Sequence, residues 1–275
     1  MNEDRPATVL DRAHMLARAA AIIVAAFPTT GLIPLPVTQL LFKRFEREER
    51  LKRLHHMVGW ARFSAERILG MRLDIRGQEN LPQPCSRGHM YVSNHQSYSD
   101  ILVLMTALDT VAFLSKRVPV KYLPAIGRSA YCGGTVYVDR GDSESRERAL
   151  AETLRMCEES TAVVVFPEGT RSDDGNLRQK IYPRAMQAAH ERGIKLIPIG
   201  VHGTWRVVPK AMDRVRTGQQ VAVRIGRPLE PSDFATGEDY AEACWQRVAE
   251  LHEEARAFVA EARGEAIGRE EQPQG

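Results

Sequence analysis

Between about Met71 and Arg263 the chain alternates short apolar runs with longer stretches of helical character. No other feature restricts the possible fold as much. Strands are predicted near residues 89–93, 110–114, 135–139, 162–166, 194–201 and 219–225. Before them Met71, Leu73 and Ile75 alternate with polar residues and read as a further strand. Helices are predicted near 99–108, 121–130, 143–159, 183–192 and 238–263. Strands separated by helices give a largely parallel sheet covered by helices, so the fold class is α/β. The apolar fraction of 43% supports a packed core of that kind. In such sheets, ligands gather beyond the carboxyl ends of the strands.

Two polar segments fall at those ends. Asn94-His95-Gln96-Ser97-Tyr98-Ser99-Asp100 follows the run Met90 to Ser93. Phe166-Pro167-Glu168-Gly169-Thr170-Arg171-Ser172 follows the run from Ala162. His95 is the candidate general base, because an imidazole titrates near 6.5 and can take a hydroxyl proton at neutral pH. Asp100 is its candidate orienting acid. A five-residue separation is not that of two neighbours on one helix. It suits a histidine in a turn and an aspartate in the first helical turn that curls back to it. Gly169 permits close backbone approach or a positive φ. Arg171 can bind a phosphate through two parallel hydrogen bonds. Glu168 can accept from a glycerol hydroxyl, and Thr170 completes this substrate-binding block. The structural alternative makes His95 a loop histidine, Asp100 a helix-terminal charge, and Glu168 with Arg171 a local ion pair. Asn94 and Ser97 read as hydrogen bonders that fix the turn.

Taken together, these blocks resemble the glycerolipid acyltransferase family that includes 1-acylglycerol-3-phosphate acyltransferases. The resemblance runs from roughly Leu73 to Leu229. Phe113-Leu114-Ser115-Lys116, Val136-Tyr137-Val138-Asp139-Arg140 and Ile197-Pro198-Ile199 look like further family segments. The resemblance implies that Arg140 is a second phosphate ligand and Lys116 a third cation. It implies transfer of an acyl chain from acyl carrier protein or coenzyme A to the free hydroxyl of 1-acylglycerol 3-phosphate, giving phosphatidic acid. The thioester is a co-substrate, and no cofactor or metal is expected. One segment departs from the family. Where many members carry a Phe-Lys-Lys-Gly-like sequence, this chain has Lys180-Ile181-Tyr182-Pro183-Arg184-Ala185, which leaves the acceptor headgroup open. Alternatives are the same chemistry on a lyso-ornithine lipid or another lysophospholipid, a lipid hydrolase, or membrane binding without catalysis. No GxSxG elbow supports a serine hydrolase.

Ala19 to Phe42 holds no charged residue, but Pro28, Gly31, Pro34 and Pro36 interrupt it. That composition predicts an apolar helical segment docked on a membrane as a re-entrant or interfacial hairpin. Lys43, Arg44, Arg47, Arg50, Lys52 and Arg53 follow, interleaved with Glu46, Glu48 and Glu49. Leu54 to Ile68 is apolar at three- and four-residue steps and reads as an amphipathic helix ended by Gly70. The division expected is a membrane-associating segment over 1–70, an α/β domain over 71–263 and a disordered tail over 264–275. A net charge of +3 is too small for a nucleic-acid partner and compatible with an anionic bilayer. Cys85, Cys132, Cys157 and Cys244 lack metal or disulfide spacing and read as free thiols. No signal peptide is evident, since Glu3, Asp4 and Asp11 precede the apolar run. The expected location is the cytoplasmic face of a membrane, peripheral or monotopic. His55, His56, His89, His190 and His202 have no partner motif and read as structural or solvent-facing.

Overall fold

Seven apolar runs form one sheet. They are β1 (Arg72–Arg76), β2 (His89–Ser93), β3 (Ala112–Lys116), β4 (Val136–Val138), β5 (Val163–Val165), β6 (Lys195–His202) and β7 (Gln220–Ile225). The computed structural model describes residues 7–30, 58–83, 86–108, 112–116, 135–139, 141–159 and 162–264. Strand order is β1-β7-β6-β2-β5-β3-β4, so β2 lies at the centre. Every neighbouring pair is parallel except β6 with β7. The exception has a simple cause. Only a single helical turn, Thr204–Val207, lies between those strands, and a strand that returns without a crossover helix pairs antiparallel.

The pleat sorts side chains into two cores. Tyr91, Val164, Ile197 and Ile199 face one side, where α2 (Asp100–Leu108) and the helix over 58–68 cover them. Met90, Val92, Val163, Val165 and Leu196 face the other. That side is covered by α3 (Ser143–Glu159), α4 (Arg184–Glu191) and α5 (Gly237–Arg263). Burial of both faces explains why these strands read as continuous apolar runs rather than alternating ones.

The expected helix over Leu54 to Ile68 is present from residue 58 and closes as a π-helical turn, Ser64–Ile68. Its Ala61, Ala65 and Leu69 share a core with Leu102, Val103 and Leu104 of α2. This helix is therefore packed into the α/β unit, although a boundary at residue 70 had separated it. Ahead of it, α1 (Val9–Thr30) runs two residues past Pro28. Arg18 donates to the Ile68 carbonyl, and Trp60 Nε1 donates to the Ile22 carbonyl at 3.3 Å. Among the described residues no helix is long and apolar enough to cross a membrane. The interrupted part of the apolar run from Gly31, the basic stretch after it, the helix near 121–130 and the tail beyond Gly264 lie outside the described residues.

Candidate active site

β2 and β5 are parallel neighbours, with Tyr91 opposite Val164 and Val92 opposite Val165. Their carboxyl ends therefore deliver the two polar segments side by side. Asn94 extends the strand edge by pairing its amide with both the N–H and the carbonyl of Val201, at 2.8 and 2.9 Å. The Ser97 hydroxyl donates to the Val208 carbonyl at 2.8 Å. These two bonds pin the loop from both ends, as their residue types suggested.

His95 leaves β2 in that loop, and Asp100 opens α2. The His95 Nδ1 lies 2.7 Å from Asp100 Oδ2. An ionised carboxylate only accepts, so the ring proton sits on Nδ1 and Nε2 keeps its lone pair. Asp100 is fully buried. The same Oδ2 accepts from the N–H groups of Gln96 at 2.7 Å and Ser97 at 2.8 Å. Its Oδ1 accepts from the Thr204 hydroxyl. Three protein donors besides the imidazole thus hold the charge in one orientation. The ring of His95 stacks on Phe166, with centroids 4.2 Å apart and planes 19° apart. Base, orienting acid and ring support come from β2, α2 and the end of β5.

The second segment acts as a clamp. Glu168 is buried, and its Oε2 accepts from the His95 N–H at 2.8 Å. Its Oε1 accepts from the Arg178 N–H at 3.0 Å. Sequence reasoning assigned this carboxylate to a glycerol hydroxyl, whereas both of its oxygens engage backbone amides. Burial pushes its carboxyl up to about 7, against the pull of those two amide donors. Gly169 has φ +66°, which turns the chain so that its N–H returns to the Phe166 carbonyl at 3.0 Å. Thr170 is exposed. The Ser172 N–H donates to the His95 carbonyl at 2.8 Å.

Arg171 lies between those contacts. Its guanidinium carbon sits 3.9 Å from the centroid of the Tyr98 ring. Its Nη1 is buried and has no hydrogen-bond partner among the described residues. Buried polar groups are normally satisfied, so this donor stands out at the site. No ion pair joins Glu168 to Arg171, and Glu168 instead holds the backbone amides of His95 and Arg178. Lys116 closes β3 with its backbone in register with Val138 of β4. Arg140 lies outside the described residues. No cluster of His, Cys, Asp and Glu suited to a metal occurs among the described residues. Cys157 and Cys244 are buried free thiols.

Sequence reasoning missed four contributors. Phe166 and Tyr98 stood inside the quoted segments but were given no role. Gln96, inside the first segment, was likewise given no role, and Thr204 reaches Asp100 from beyond β6 with no motif to mark it.

With this geometry established, similarity to known proteins becomes informative. A Brassica napus protein named 1-acyl-sn-glycerol-3-phosphate acyltransferase BAT2, chloroplastic, is 32% identical over 216 residues, or 75% of this chain and 59% of that protein. The sequence pattern of the acyltransferase family matches residues 72–202. Residues 72–202 of this chain belong to the acyltransferase family. A further relative is the human 1-acyl-sn-glycerol-3-phosphate acyltransferase beta, 32% identical over 44% of this chain and 43% of that one. The crystal structure of the 1-acyl-sn-glycerophosphate acyltransferase PlsC from Thermotoga maritima superposes with a TM-score of 0.73 at 24% identity. That likeness covers 90% of this chain and 96% of PlsC, and establishes the shared fold. The chain spans less than two thirds of the length of these plant and human relatives. The acyltransferase-family match runs from β1 through His202 and contains His95, Asp100 and the whole Glu168 segment. Thr204 and α5 lie beyond it.

Proposed function

We propose that this chain transfers an acyl group from a thioester to the free hydroxyl of 1-acylglycerol 3-phosphate, giving phosphatidic acid. The donor is acyl carrier protein or coenzyme A. The supporting observation is the 2.7 Å contact of His95 Nδ1 with Asp100, which leaves Nε2 free to accept a proton. Nε2 takes the hydroxyl proton as the oxygen attacks the thioester carbonyl. The tetrahedral intermediate collapses and expels the thiolate, which takes that proton back from the imidazolium. Asp100 stabilises the imidazolium between these steps. The unpartnered Nη1 of Arg171 holds the phosphate and so orients the hydroxyl, joined by Arg140 and Lys116. Gly169 and Thr170 line this end, and Glu168 keeps the His95 loop against it.

The chain works at the cytoplasmic face of a membrane, where its acceptor resides. Exposed Val9, Leu10 and Leu16 on α1 support contact with lipid at that end of the molecule.

A mass-resolved transfer assay tests the reading. The purified chain is given acyl-coenzyme A or acyl carrier protein with a panel of lysolipids. Phosphatidic acid formed from 1-acylglycerol 3-phosphate, at a rate well above that with lysophosphatidylcholine or a lyso-ornithine lipid, is the expected result. Thioester loss without acylated lipid would show a hydrolase instead.

A further inference from the structure

Asp100 Oδ1 faces away from His95, and its partner is the hydroxyl of Thr204. Thr204 lies 104 residues along the chain, beyond the family match. It is fully buried. The turn that brings it there is over-determined. Gly203 has φ +101°, and a Cβ on it would lie 2.3 Å from the Gln220 carbonyl oxygen. The Gly203 N–H donates to Gln96 Oε1 at 3.0 Å. Gln96 is itself fully buried. Its Nε2 donates to the Gly175 carbonyl at 2.6 Å and lies 3.3 Å from His202 Nδ1 and 3.1 Å from His252 Nε2. His252, on α5, also reaches the Gly175 carbonyl at 3.0 Å and His202 Nδ1 at 3.2 Å. One set of bonds satisfies all of these groups: Gln96 donates to Gly175 and His202, and His252 donates to Gly175. A core hydroxyl set this firmly against a carboxylate oxygen is a costly arrangement unless the charge is meant to stay in place.

We infer that Thr204 is a positioning residue for the His95–Asp100 pair, held in register by the buried hub of Gln96, His202, His252 and Gly175. The inference rests on the acyl-transfer reading above, since it assigns Thr204 a task only if Asp100 serves His95. Its hydroxyl shares the carboxylate charge and limits how strongly Asp100 holds the proton of the imidazolium. Without that donor the charge falls more fully on His95, which then releases its proton only at higher pH. The remaining titratable groups facing the pair are Glu168 and, through Gln96, the two hub imidazoles. Burial lowers both imidazoles and keeps them uncharged. Burial, with the Asp100 charge adding to it, raises Glu168 to about 7.

The test compares Thr204→Val with Thr204→Ser in the full chain. Valine keeps the volume and removes the donor, while serine keeps the donor. The acid limb of the kcat/KM–pH profile should move up by about half a unit or more in Thr204→Val, with about a tenfold loss of kcat and little change in KM. Thr204→Ser should restore both. A folded Thr204→Val enzyme with the wild-type acid limb overturns the inference. If valine prevents folding, Thr204→Cys, with its weaker S–H donor, should give an intermediate displacement, and none would count against the idea. His95→Ala is the control. An active His95→Ala enzyme would refute His95 as the base on which the acyl-transfer mechanism rests, whereas an inactive one beside a silent Thr204→Val refutes only the role of Thr204.

Discussion

The Oε2 of Glu168 accepts the backbone N–H of His95 at 2.8 Å, across 73 residues of sequence. Its second oxygen holds the Arg178 N–H at 3.0 Å, so one side chain ties the histidine loop to the far end of its own. Glutamine at this position offers one accepting atom where two donors converge. A buried N–H left unmatched costs roughly 1–3 kcal/mol. Glu168→Gln should therefore melt lower than wild type and lose kcat as the His95 loop drifts. Calorimetry and steady-state kinetics on the same preparation check both.

His95→Ala should lower kcat by about 10²–10⁴ with little change in melting temperature, because Asp100 keeps three other donors when the ring is gone. Asp100→Asn differs. Asp100 Oδ2 receives the imidazole and two amide N–H groups, and Oδ1 receives Thr204. An asparagine NH2 placed at Oδ2 would face N–H donors, and placed at Oδ1 it would turn the Thr204 hydroxyl from donor to acceptor and leave a neutral oxygen for the imidazole. Asp100→Asn should thus lose both activity and stability, and a thermal melt beside the kinetics separates it from His95→Ala.

Arg171→Ala should raise KM for a phosphate-bearing acceptor far more than for the thioester. Losing a hydrogen bond to a charged group costs about 1.5–3 kcal/mol. Arg171→Lys should rescue poorly, because lysine lacks the planar fork that stacks on Tyr98. Equal effects on the two substrates in a bisubstrate analysis would contradict the assignment.

Stability should depend on acid through His202. Burial, with His252, Arg206 and Arg256 adding to it, lowers this imidazole from 6.5 to about 3. Below 6.5 the unfolded chain binds a proton that the native protein excludes. The stability is therefore fully present above pH 6.5 and drains away as pH falls toward 3. His202→Asn offers a carbonyl where Nδ1 accepts and does not titrate in this range. The gap in melting temperature between wild type and His202→Asn should change steadily between pH 7 and pH 5. A constant gap would show that His202 is already charged in the native protein.

Removing residues 1–42 should weaken liposome flotation more than it lowers the melting temperature. The contacts of Arg18 with Ile68 and of Trp60 with Ile22 set a modest stability loss. Flotation of both proteins, paired with thermal melts, measures the two effects separately. Unchanged flotation would place lipid contact elsewhere.

Much of this was legible in the chain. Strands buried on both faces announce themselves as apolar runs, and six predicted strands lie within two residues of those observed. His95 and Asp100 were readable because both belong to one continuous segment whose turn brings them together. The clamp role of Glu168 was not, since its partners are backbone N–H donors, which leave no mark on residue type. Thr204 and His252 were invisible for a different reason. Each meets the site through tertiary packing across about a hundred residues or more, and neither carries a local signature. Ala61 and Ala65, small residues on a helical stripe before residue 70, gave no sign in the sequence that the surface they meet is α2.

The single antiparallel pairing of β7 with β6 reverses the direction of one edge of the sheet. β1 and β7 finish on the opposite rim from His95, so the connections after them, Gly77 to Leu81 and Gly226 to Glu230, emerge far from the reacting atoms. A fluorophore or affinity handle grafted on that rim would leave acyl transfer untouched while reporting how the molecule tilts against a vesicle. The same rim offers a place for insertions to accumulate in descendants of this chain without cost to its chemistry.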